Sequence, residues 1–152
     1  MASTTPNTIT LKGNGIRKEG VASGTITPGY LVEFGGANDL QAHSTAAANA
    51  RKAFAVENEL LGNGIDDDYT VGEQVHYAVF GTGEEVYALV AAAATAVTKG
   101  AALESAGDGT LRILTTDTAT DDTQRDSVVA YALEAVDNSG GASEARIKVE
   151  VA

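Results

Sequence analysis

The chain has 152 residues, a formal net charge of −11 at pH 7, no cysteine, no tryptophan, and five Tyr with three Phe as its aromatic side chains. That composition excludes disulfides, thiolate metal sites and cysteine nucleophiles, and the acidity argues against nucleic acid as a direct ligand, because phosphate binding needs a basic footprint. The length fits one domain, no apolar run approaches the ~18 residues of a membrane span, and "MASTTPNTIT" lacks the regions of a signal peptide, so the chain is expected to be made and kept soluble.

Residues 1–20 are polar, with Ile9, Leu11 and Ile16 as the sizeable apolar positions after Met1. They read as an N-terminal arm ahead of a single β domain over 21–152, extended where "TITL" can pair and loose elsewhere. Residues 1–32 hold Lys12, Arg17 and Lys18 against Glu19, whereas the remainder is strongly acidic. Such asymmetry predicts that the arm touches something different from the body.

The phrase Thr-x-Gly-x-x-(Val/Leu) then occurs three times, at Thr27–Val32, Thr70–Val75 and Thr98–Leu103. Glycine supplies the positive φ of a tight turn and Pro28 presets the corner before Gly29. Gly29, Gly72 and Gly100 are therefore expected at corners where the chain enters a strand, with Val32, Val75 and Leu103 facing the core. The spacing of the copies is unequal, so no solenoid repeat is implied.

Between the corners, "YLVEF" and "DLQAH" flank Gly35–Asn38 as a hairpin, "STAAANARK" reads as a loop, and "AFAVENE" reads as a strand followed by a long turn, "LGNGIDDDY". "QVHYAVF" and "EEVYALVA", joined by Gly81-Thr82-Gly83, are predicted to pair as a hairpin. "AAAATAV" is expected to run as strand into the third corner, although alanine favours helix. "TLRIL" should pair back on residues 101–104, "TTDTATDDTQRDS" should be a polar loop, and "VVAYALEAV" and "EARIKVEVA" should close the chain. In the last segment Ala145, Ile147, Val149 and Val151 alternate with charged residues, the pattern of a half-buried antiparallel strand. The whole predicts an all-β fold, a small antiparallel barrel or sandwich with glycine-rich corners.

No nucleophile elbow, zinc-protease helix, phosphate loop or dinucleotide fingerprint occurs. His43 and His76 lie on separate strands and make a poor zinc pair. Asp66-Asp67-Asp68 and the group Asp117, Asp121, Asp122 and Asp126 offer oxygen ligands, but without calcium-loop spacing they read as solvated turns. No acid/base pair stands out. The residues point away from an enzyme and require no cofactor.

Taken in order, "GVASGTITPGYLVEF", "AFAVENELLGNGIDDDYTVGEQVHYAVFGTGEEVYALV", "VTKGAALESAGDGTLRIL" and "VAYALEAVDNSGGASEARIKVEV" resemble a tailed-phage capsid decoration (cement) protein over most of residues 20–151. The resemblance implies a catalytically inert, β-rich virion protein on the outer surface of an assembled head. Its partners would be the major capsid protein and itself, commonly as a homotrimer at three-fold positions, with neither membrane nor nucleic acid. On that reading the arm orders against the capsid, with Ile9 and Leu11 as apolar anchors and Lys12, Arg17 and Lys18 as the electrostatic contact. The alternative from another class is an acidic β-sandwich module for glycans or Ca²⁺, for which few aromatics are available to stack on a sugar.

Overall fold

The computed structural model describes residues 5–36, 39–115 and 126–152. Among these residues eleven short strands carry the fold: β1 Thr10–Lys12, β2 Ile16–Ala22, β3 Val32–Phe34, β4 Asp39–Ala42, β5 Ala53–Ala55, β6 Gln74–Val79, β7 Glu85–Val90, β8 Ala102–Ser105, β9 Leu111–Ile113, β10 Ala130–Ala132 and β11 Ala145–Val151. Among the described residues, helix is limited to a 3-10 turn at Glu59–Leu61 and a helical pair at 126–127. The chain is all-β.

One sheet runs β1-β7-β11-β10-β8-β9, and β9 returns to β7 through Val90↔Leu111, closing β7, β11, β10, β8 and β9 into a small barrel. β1 and β9 share one edge of β7 at opposite ends, near Val86 and Val90 respectively. With β11 on its other edge, β7 is central, and Val86 to Val90 are all buried. β11 keeps the expected alternation, with Ile147, Val149 and Val151 buried. The second sheet runs β3-β4-β2-β6-β5 and includes one parallel pair, β2 with β4. Strand β6 divides its side chains between two apolar clusters: Val75 and Tyr77 pack with Val32 and Leu40, while Ala78 packs with Phe54 and the barrel interior.

The three corners share one construction. Gly29, Gly72 and Gly100 have φ of 100°, 86° and 86°. The N–H two residues before each copy's final apolar position bonds back to the corner threonine: Tyr30 to Thr27, Glu73 to Thr70 and Ala101 to Thr98, at 3.0, 3.1 and 3.1 Å. Positive φ at the third residue together with that bond defines a type II turn. Each glycine N–H then reaches an alanine carbonyl on another segment: Ala55, Ala22 and Ala132 in turn. Val32, Val75 and Leu103 are buried.

The second and third corners match further. Ala22 N–H bonds to Glu73 and Ala132 N–H to Ala101, each at 2.9 Å. The paired strands also have the same register, Val21↔Gln74 in one case and Tyr131↔Ala102 in the other. Isolated bridges Ile26↔Tyr69 and Val97↔Val136 complete the two units. The same ladder-and-corner unit is built twice, with its two segments in opposite chain order.

Three expectations need correction. β6 and β7 do not form a hairpin: β6 pairs with β2 and β5, β7 with β1, β9 and β11, so Gly81-Thr82-Gly83 passes the chain between sheets. Both strands find partners that cover them more fully than each other. Residues 91–96 are turn and coil, with Ala93 at a φ of 51°, because the alanines offer little apolar area to hold a strand. Finally, residue 20 is no boundary, since β2 runs across it. Of the polar loop predicted at 115–127, residues 116–125 lie outside the described residues.

Candidate docking surfaces

The first surface is an open sheet edge. β2 pairs with β6 from Ile16↔Val79 to Val21↔Gln74, but on its other side β4 meets Val21 and Ala22 only. Among the described residues, the outer edge of 16–20 has no strand beside it, and such an edge presents unpaired backbone groups to any incoming chain. Arg17, Lys18 and Glu19 in its middle keep it solvated, the usual protection of an edge. Arg17 and Lys18 have no ion-pair partner among the described residues. Arg51 and Lys52 lie across β6 from that edge: Ala53 pairs with the same Val79 as Ile16 does, and the Lys52 carbonyl accepts from Phe80 N–H at 2.9 Å.

At the end of this edge lies a cleft of about 510 Å³ lined by Gly15, Ile16, Val79, Phe80 and Gly81, among others. Ile16 is 67% exposed there. Glu84 shapes the cleft by accepting from the N–H groups of Asn14, Gly15 and Gly81 at 2.7, 3.1 and 2.6 Å. Those backbone donors, Gly81 foremost, hold its pKa below the ordinary 4.5.

The second surface is acidic and apolar. Segment 57–73 carries Glu57, Glu59, Asp66, Asp67, Asp68 and Glu73 and no basic residue. Its 3-10 turn buries none of its own side chains, so Leu60 and Leu61 stand 88% and 75% exposed, with Val71 at 69%. Gly62 ends the turn in the left-handed conformation, its N–H returning to the Glu59 carbonyl. Leu61 lines a cleft of about 120 Å³ together with Asn58, Asn63, Tyr69, Glu73 and Gln74. Asn58 is buried, and its Oδ1 has no hydrogen-bond partner among the described residues. Tyr69 donates its hydroxyl to the Val56 carbonyl at 2.7 Å, and burial raises its pKa.

The carboxylates of this segment are held apart by separate donors. Asp67 accepts from Gly64 N–H, Asp68 from the Thr27 hydroxyl and Glu73 from Thr70 N–H, while Asp66 faces Arg146 at 3.3 Å. No metal-holding group of three or more His, Cys, Asp or Glu occurs among the described residues. Of the second acid group, only Asp126 is among them. His43 is buried, its Nδ1 2.8 Å from Ser105 Oγ and its Nε2 3.6 Å from Glu33. His76 is half-buried on β6.

The residues expected to contact a capsid fall into two groups. Ile9 is fully buried in the barrel cluster, so its side chain is not an external anchor. Leu11 is half-buried on β1, and Lys12 is tied to Glu85 at 2.7 Å, a contact that raises the lysine pKa. Arg17 and Lys18 remain, on the open edge. Arg51 and Lys52, which the sequence reading did not single out, are placed by the β5–β6 pairing on the far side of β6 from that edge. That reading also missed Leu60, Leu61 and Asn58, for which the signal was present: two adjacent leucines ahead of Gly-Asn-Gly inside an acidic turn.

The fold is similar to that of the head fiber gp8.5 N base of bacteriophage phi29, with a TM-score of 0.58 over 91% of this chain and 95% of that one, at 11% sequence identity. At that identity the likeness establishes a shared fold. No protein-family model matches the chain, and no curated protein matches it.

Proposed function

We propose that this chain is a structural protein of a phage virion, seated on the outer surface of the head and strengthening the assembled shell. The observation that carries the reading is the fold shared with a phage head-fiber base across nine-tenths of the chain. Its partners in this reading are the major capsid protein and further copies of itself, grouped as a homotrimer at three-fold positions.

The physical mechanism is linkage. A protein that binds the assembled shell and not its separated subunits stabilises the shell by mass action. Copies joined to one another bind multivalently, so modest contacts per copy give strong retention. The open β2 edge, with Arg17 and Lys18, is the surface through which a copy engages a neighbour in the assembly. Its exposed backbone groups can extend a sheet and its cations can meet carboxylates.

Co-sedimentation with undecorated, expanded phage heads tests the reading. Binding should saturate at a fixed number of copies per head and should raise the temperature at which the heads release their DNA. Absent or non-saturating binding would overturn it.

A further inference from the structure

We propose that the open β2 edge of one copy receives the acidic, apolar 57–73 face of a second copy, head to tail. This rests on the reading that the chain works as an assembly of copies, and it names the two surfaces that meet. The edge carries Arg17 and Lys18 on β2 and is flanked by an apolar cleft of Ile16, Val79 and Phe80. The face is its complement: Glu59, Asp67, Asp68 and Glu73 lie with exposed Leu60, Leu61 and Val71 on a segment that holds no basic residue, while Glu57 turns inward and Asp66 faces Arg146.

The unpartnered Oδ1 of Asn58 gives a second, independent indication. A buried carbonyl oxygen without a donor is costly, and this one lines the same small cleft as Leu61 and Glu73. A guanidinium or ammonium group from a neighbouring copy that enters this cleft meets Glu73, and satisfies the oxygen once Asn58 turns its amide toward the cleft. Leu60 and Leu61 would enter the Ile16–Phe80 cleft, so each surface offers the other an apolar patch of matched character and charges of opposite sign.

The two surfaces can be used together. Ile16 and its cleft sit at the Val79 end of the β2–β6 ladder, whereas Glu73 and Gln74 sit at the other end. The surfaces adjoin where Gln74 donates to Glu19 at 3.1 Å, but their apolar parts lie at opposite ends, so two different patches meet in each contact, which makes it heterologous.

The test is complementation, measured by sedimentation of the full chain without heads. The wild type should associate as its concentration rises. R17E/K18E and L60S/L61S should each be monomeric, with unchanged circular dichroism and melting, because all four side chains are exposed. Mixed in equal amounts, they should form a one-to-one dimer, since one intact edge and one intact face remain. Asn58→Ala should weaken wild-type association about tenfold or more, the range for a hydrogen bond to a charged group. A monomeric wild type, association that survives either double substitution, or a mixture that stays monomeric would overturn the proposal. Head co-sedimentation of the wild type is read separately. Head binding by a monomeric wild type overturns this contact and spares the function; self-association without head binding does the reverse.

Discussion

The backbone N–H of Ile9 donates to the buried carboxylate of Glu57 at 3.0 Å, and the Ile9 carbonyl accepts from Tyr87 N–H at 2.8 Å. The two bonds clamp the chain just ahead of β1 between the 57–73 segment and the barrel strand β7. Ile9 itself is fully buried. Deleting residues 2–18 should therefore unfold the protein rather than merely detach an arm. Ile9→Ala should lower unfolding free energy by about 2–5 kcal/mol, read from chemical denaturation. A truncated chain that melts like the full one would show that the clamp is dispensable.

Glu84 predicts a pH dependence. Its pKa is lowered in the folded state by three backbone donors, whereas in the unfolded chain it lies near 4.5. The carboxylate thus contributes stability at and above pH 4.5, and that contribution is lost as pH falls through the lowered folded value. Glu84→Gln should be less stable than wild type at pH 7, with the difference shrinking below pH 4.5. Melting curves from pH 7 down to pH 3 would show it, and a difference constant with pH would contradict it.

The corner glycines should not tolerate alanine equally. A Cβ on Gly72 or Gly100 would meet open space, so the cost is the left-handed backbone alone, about 1–2 kcal/mol. On Gly29 it would also lie 2.6 Å from Arg146 Nη1 and 2.9 Å from the Tyr87 carbonyl. Arg146 has little room to yield, because it donates to the Pro28 carbonyl at 2.6 Å and lies over the Tyr87 ring. Gly29→Ala should be the most destabilising of the three in thermal melts.

Salt should strengthen self-association at the low end of ionic strength. Each copy carries −11, a repulsion felt beyond contact. Screening shortens its reach from about 30 Å at 0.01 M to about 10 Å at 0.1 M, while charge pairs inside an interface are screened far less. The association constant measured by sedimentation should rise over that interval. A steady fall would mean that the attraction between basic edge and acidic face outweighs the net charge at every separation.

The corners were legible because Thr-x-Gly writes a local conformation into three residues, and a turn needs nothing from the rest of the chain. Alternation in β11 was legible for the same reason: one face is buried and the other is not. Pairing was harder to read. The composition around Gly81-Thr82-Gly83 suits a hairpin, but each flanking strand has longer partners elsewhere, β6 along β2 and β7 along β11. That competition is decided by tertiary packing. The basic edge was visible only as a charge imbalance, since its openness depends on β4 meeting β2 at Val21 and Ala22 alone. The polar composition of residues 1–20 concealed the single buried isoleucine that ties them down.

β11 lies between β7 and β10, although it is the last of the eleven strands in chain order. During synthesis, β7 and β10 each wait with an unfilled edge until Ala145–Val151 has emerged and β11 slides between them. The barrel therefore cannot lock before its closing strand has emerged, and a chain released short of residue 145 is left with two open edges. Such fragments should be prone to aggregation and proteolysis, so that synthesis through β11 is the step that closes the barrel.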